Sequence, residues 1–147
     1  MKHALLIILA ALLSALLLFW FRSQKTSAGQ LKVGERAVFQ IEIVDNVLSQ
    51  ARGLSGRVSL DEDAGMLFVF SRPANRYFWM KDMQFPLDVL WIRDGKVIGI
   101  ERDVPPPGLN NGQTARFQSP EPADTVLEIN AGQAARKGMK VGDVVSW

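Results

Sequence analysis

Six side chains hold most of the chemical interest of this sequence: Arg52, Arg57, Trp79, Lys81, Asp88 and Glu128. Arg52 and Arg57 bracket Leu54-Ser55-Gly56. Two guanidiniums beside a glycine turn suit a bidentate grip on a carboxylate or phosphate. The same arginines would equally well pair with a buried acid such as Asp88 or Glu128. Trp79, with Lys81 two residues on, sets an aromatic face near an ammonium, a combination that holds a sugar or an apolar ligand. A tryptophan in a strand also packs readily into a core. Asp82 and Asp88 flank Phe85-Pro86, and Glu128 lies within an apolar run. Two such carboxylates facing one cleft would serve as acid and base. Taken singly, they bind loop amides or arginines. Asp61-Glu62-Asp63 reads as a solvated acidic turn, because it lacks the glycine and the distant glutamate of a calcium loop.

Much chemistry is excluded. The one histidine is His3, near the N-terminus, and there is no cysteine. Ser-His-Asp and Cys-His nucleophilic systems are therefore unavailable to the residues that follow. So are histidine- or cysteine-ligated zinc, copper and iron. No phosphate loop or dinucleotide glycine motif is present. No metal and no cofactor is expected. Recognition should outrank turnover: the expected function is a non-catalytic binding or accessory module for an anionic or saccharide-like ligand, or for a protein partner. The alternatives are a hydrolase using Asp82, Asp88 or Glu128, and a scaffold subunit of a membrane complex with an exposed apolar patch.

The elements that must position these residues are mostly strands. Gly65 to Ile92 holds two of the four tryptophans, the only tyrosine and three of the five methionines, so it should supply the core. Val38 to Val44 alternates as a half-buried strand does. Asp45 or Asn46 can cap a short helix to Arg52, with Val47, Ala51 and Leu54 on one apolar stripe and Gly53 as its stop. Met66–Phe70, Arg76–Met80, Leu87–Ile92, Lys96–Ile100, Thr125–Ile129 and Val144–Trp147 read as further strands. Asp94-Gly95 is a two-residue hairpin signal. The prolines from Pro105 open a long loop to about Pro122. Ala131–Lys137 is a short helix or turn. The pattern predicts a mainly β domain, an antiparallel sandwich or squat barrel with one or two short helices.

Residues 1–22 read as a membrane anchor or signal, 23–30 as a polar linker and 31–147 as a single β-rich domain. Ala4 to Phe21 is an 18-residue apolar run broken by Ser14 alone, about the minimum for a helix to span a bilayer. Trp20, Phe21 and Arg22 suit the interface. The expected address is the inner membrane, with a single N-terminal pass and the domain outside the cytoplasm. The alternative is a periplasmic or secreted form cleaved near Ala28. Formal net charge is +2, yet setting aside Lys2, Arg22 and Lys25 leaves 14 basic against 15 acidic residues, a net of −1. That domain has no basic bias toward nucleic acid.

Six blocks in order carry a resemblance: Arg52-Gly53-Leu54-Ser55-Gly56-Arg57, Gly65-Met66-Leu67-Phe68-Val69-Phe70, Phe78-Trp79-Met80-Lys81, Pro86-Leu87-Asp88-Val89-Leu90, Leu127-Glu128-Ile129-Asn130-Ala131-Gly132 and Gly142-Asp143. Over Leu31 to Trp147 the chain resembles the bacterial and archaeal family catalogued as domain of unknown function 192. The resemblance implies a compact β-sandwich with small helices, often placed after a signal or membrane segment. The family usually shows asparagine and threonine where Asp82 and Met83 stand, and commonly a methionine where Ser55 stands.

Overall fold

The structure, a computed structural model, describes residues 27–147. The apolar run at residues 4–21, and the helix expected of it, lie outside the described residues. Among those described, no helix is long and apolar enough to cross a membrane.

Among the described residues, nine strands and two short α-helices follow one another: β1 (Ser27–Val33), β2 (Ala37–Val44), α1 (Val47–Arg52), β3 (Ala64–Ala74), β4 (Tyr77–Trp79), β5 (Leu87–Arg93), β6 (Lys96–Val104), β7 (Arg116–Gln118), β8 (Ala123–Asn130), α2 (Gln133–Arg136) and β9 (Val145–Ser146). Seven strands form one sheet in the order β6-β5-β8-β3-β2-β1-β9, while β4 and β7 form a separate ribbon. The large sheet curls until its ends meet. Val144 bridges Lys96, and Val145 N–H donates to the Gly95 carbonyl at 2.8 Å. The architecture is thus one curled sheet rather than two stacked ones, on the barrel side of the expected alternatives.

Two expectations need correction. β2 and β3 pair in parallel, so the sheet is not wholly antiparallel. Parallel neighbours need a crossover, and α1 with its following loop supplies it. β1 starts at Ser27 and pairs with β2 from Ser27↔Ile43 to Val33↔Ala37. Residues 27–30, polar enough to resemble a linker, are therefore strand, recruited by the apolar edge of β2.

Local signals explain the turns. Asn46 Oδ1 accepts from Ser49 N–H at 3.0 Å and caps α1. Gly53 ends the helix at φ 51°, a region glycine enters without steric cost. Its missing side chain also matters, since a Cβ there would meet the Phe68 ring at 3.3 Å. The stripe expected on α1 is only partly used: Leu54 is buried, but Val47 is 80 % exposed. Asp94 and Gly95 both have positive φ and join β5 to β6 as expected.

The central strands β3, β8 and β5 are covered on both faces. Leu67, Leu90, Leu127 and Ile129 point into the curl with Phe39 and Ile41. Met66, Phe68, Val89, Trp91 and Val126 point the other way, beneath Leu54, Met80, Phe78 and Phe117. Two acids, Asp88 and Glu128, are buried in this framework. Asp88 is provided for: Oδ1 accepts from Asp103 N–H at 2.9 Å and Oδ2 from Ala134 N–H at 2.8 Å. Gly132 offers no side-chain cap to α2, so a carboxylate from the neighbouring strand takes that part. Replacing Asp88 with alanine should orphan both amides and lower unfolding free energy by about 3 kcal/mol or more, read as a reduced urea midpoint at constant slope.

Candidate functional site

Glu128 sits on β8 between Met66 of β3 and Val89 of β5 in the sheet register. Its flanks are therefore apolar. Gly65 lets β3 approach closely here, since a Cβ would come within 3.0 Å of the Glu128 carbonyl. The Glu128 side chain forms no ion pair or hydrogen bond among the described residues, and the residue is 6 % exposed. Burial alone pushes its carboxyl up to about 8. Burial thus favours the neutral acid near pH 7.

The carboxyl faces a cleft of about 290 Å³. One wall is the end of α1, with Gln50, Arg52 and Gly53. The rest comes from Phe68 and Phe70 of β3, Asn75, Arg76, and Tyr77, Phe78 and Trp79 of β4. Gln50 fixes the α1 wall, donating Nε2 to the Val69 carbonyl at 2.8 Å. Phe78 fixes the β4 wall, with its ring edge-on to Phe68 at 5.0 Å and to Trp91 at 5.5 Å. Because alternate strand residues face opposite ways, burying Phe78 turns Tyr77 and Trp79 outward, 69 % and 52 % exposed. Trp79 is thus not core. Arg76 stacks over Phe70 at 3.7 Å and donates Nε to the Ala123 carbonyl at 3.1 Å.

The six residues singled out from the sequence do not form one patch. Arg52, Trp79 and Glu128 share the cleft. Arg57 lies elsewhere, donating to both Glu42 oxygens at 2.6 and 2.7 Å. That pair ties the loop after α1 to β2 and holds the Glu42 carboxyl below the usual range. The partner is neither Asp88 nor Glu128. Lys81 is exposed in the turn after β4 and does not line the cleft. Asp88 points to the opposite face of the sheet from Glu128, because it aligns with Ile129 and so falls out of phase. Asp82 is exposed at φ 57°, a left-handed conformation that both aspartate and asparagine tolerate. No second carboxylate lines the cleft among the described residues. No group of three or more potential metal ligands occurs among them either. Tyr77, Phe70 and Asn75 were absent from the sequence-derived set. Their signal was the run Phe70 to Trp79, whose aromatics are too many for a three-residue strand to bury.

A family model described as DUF192, uncharacterized ACR, matches residues 29–147. The chain belongs to the DUF192 family. Two solved structures are similar to this DUF192 domain. A protein of unknown function from Novosphingobium aromaticivorans is 31 % identical, with a TM-score of 0.76 over 85 % of this chain and 89 % of that one. A proposed transcription regulator from Sinorhizobium meliloti is 29 % identical, with a TM-score of 0.75 over 82 % of this chain and 94 % of that one. No curated protein matches the chain.

Glu128 should leave a signature in stability. Its folded-state value lies above the unfolded one, so the native state holds the proton more tightly. Between about pH 4.5 and pH 8 the unfolded carboxyl is ionised while the folded one is not, and stability falls as pH rises, by a few kcal/mol at most. Urea midpoints at pH 5 and pH 8 should therefore fall less in Glu128→Gln than in the wild type. Glu128→Leu, which removes the desolvated acid, should be more stable than wild type at pH 7 by about 1–3 kcal/mol.

Proposed function

We propose that this DUF192 domain is a non-catalytic binding module that takes a small anionic or saccharide-like ligand into the cleft above Glu128. One observation carries the reading: among the described residues, Glu128, only 6 % exposed, makes no side-chain hydrogen bond or ion pair and opens into an aromatic-lined cleft. Buried polar groups are normally satisfied within the protein, and an acid kept at a cost to stability fits a ligand contact. A volume of about 290 Å³ lies at the small end of ligand sites, which run from about 300 to 1,000 Å³. Trp79 and Tyr77 offer flat apolar surface, and Arg52 offers a cation for an anionic group.

A carboxylate-dependent hydrolase is a weaker reading, because Glu128 has no second acid beside it in the cleft. A protein partner is favoured by the exposure of Val47 and Leu48 on α1, the helix that also forms a cleft wall. The regulator description of the S. meliloti protein finds little support in a net charge of −1 from Gly29 onward or in helices of six and four residues. The proposed setting is the bacterial envelope, with residues 4–21 as tether. Cleavage after Ala28 would remove the β1 residues that pair with Ile43 and Glu42, which favours an uncleaved chain.

The full-length protein, in detergent, should be screened by thermal shift against neutral monosaccharides, uronic acids, amino sugars and short peptides. A ligand at a hundred times its Kd stabilises by about 2.7 kcal/mol, several degrees for a domain of this size. The shift should vanish in Trp79→Ala and Glu128→Gln and persist in Lys81→Ala. Ligand shifts that survive both cleft variants would refute the assignment.

A further inference from the structure

The cleft has an acid at its floor and bases at its mouth. Resting on the binding role above, we propose that its ligand is a small zwitterion, with an ammonium group against Glu128 and an anionic group against Arg52.

The floor calls for a cation. Glu128 lies between Met66 and Val89 in the sheet register, and neither of these side chains can donate to it. A ligand ammonium supplies the counter-charge that the domain withholds. Phe68, Phe78 and Trp79 line the same space, and aromatic rings attract a cation through their quadrupole. A neutral hydroxyl would leave the counter-charge unused.

The mouth calls for an anion. The ionisable groups that share the cleft with Glu128 are Arg52, Arg76 and Tyr77. Arg76 is occupied: it donates to the carbonyls of Ala123 and Arg72 and lies over Phe70. Arg52 is exposed at the end of α1 and makes no hydrogen bond or ion pair among the described residues. Its planar fork suits a carboxylate or a phosphate. A simple cation would meet two guanidiniums on entry. A simple anion would find its match at the mouth and nothing at the floor. A ligand carrying both charges matches the cleft from end to end.

This pairing makes a thermodynamic demand. Burial raises the Glu128 carboxyl to about 8, which favours its protonated form at pH 7. Forming the pair ionises it, and the proton leaves to the buffer. Binding of a zwitterion should therefore release protons, whereas a neutral or purely anionic ligand should release almost none.

The test is titration calorimetry on the full-length protein at pH 7, in phosphate and in Tris, whose ionisation heats differ. The probes are 3-aminopropanoate, 4-aminobutyrate and 6-aminohexanoate, each against the amine and the carboxylate of equal carbon count. At least one zwitterion should bind about ten-fold tighter or more than both of its single-charge counterparts, with proton release as the accompanying signal. Glu128→Gln should abolish the release and weaken binding to the level of the carboxylate. Arg52→Gln should weaken it to the level of the amine. Both variants are checked by thermal melting, so a loss of fold is seen separately. A carboxylate that binds as well as the zwitterion, or no binding by any zwitterion, would overturn the inference. If a neutral saccharide then binds in a Glu128-dependent way, the cleft remains a binding site and only the ammonium assignment falls.

Discussion

Covering the central sheet on both faces is the constraint from which the rest follows. Once β3, β8 and β5 have neither side open to water, a carboxyl on any of them must find a donor or give up its charge. The two buried acids take these two routes. Asp88 faces the side where the amides of Asp103 and Ala134 lie within reach, and it fastens β6 and α2 to the sheet. Glu128 faces the other side, where its sheet neighbours are methionine and valine, and burial raises its carboxyl instead. Residue type does not separate them. Their phase in the pleat does, because residues one step apart on a strand face opposite layers.

The layer over Glu128 is assembled from pieces distant along the chain. α1 arrives because β2 and β3 are parallel and need a crossover. The β4–β7 ribbon arrives because Phe78 and Phe117 bury against Trp91. Neither piece seals the sheet, and the gap between them is the cleft. The cleft is thus a by-product of how the outer core is roofed, and each wall is held by contacts that do not involve the carboxyl. Such a frame can carry an unfavourable group at its centre without losing its shape.

Periodicity and turn chemistry made much of the fold legible. The alternation of β2, the apolar runs of β3, β5 and β8, the Asn46 cap and the Asp94-Gly95 hairpin all reflect local rules. The rest depended on relations between distant segments. β1 reads as polar linker because its partner, not its own composition, makes it a strand. β7 is concealed in a proline-bounded stretch for the same reason. The parallel β2–β3 pair was signalled only by the helix between them. At the site, Arg52, Trp79 and Glu128 stood out as charged or aromatic residues inside apolar motifs. The sequence held nothing to say that Arg57 would reach Glu42, or that Asp88 and Glu128 would turn away from each other. Those facts live in the register of three strands.

One consequence of the curled sheet lies far from the cleft. The seam between its first and last strands is latched by β9, two residues long, which pairs with Lys32 and Val33 on one side and meets the start of β6 on the other. A latch so short rests on a handful of backbone bonds, made by the amides of Gly34, Val97, Gly142 and Val145 besides its ladder with β1. Thermal breathing should begin there, unzipping the roll along β1 and β6 while the buried strands stay closed. Each opening would bare two strand edges at once, the kind of edge on which chains pair.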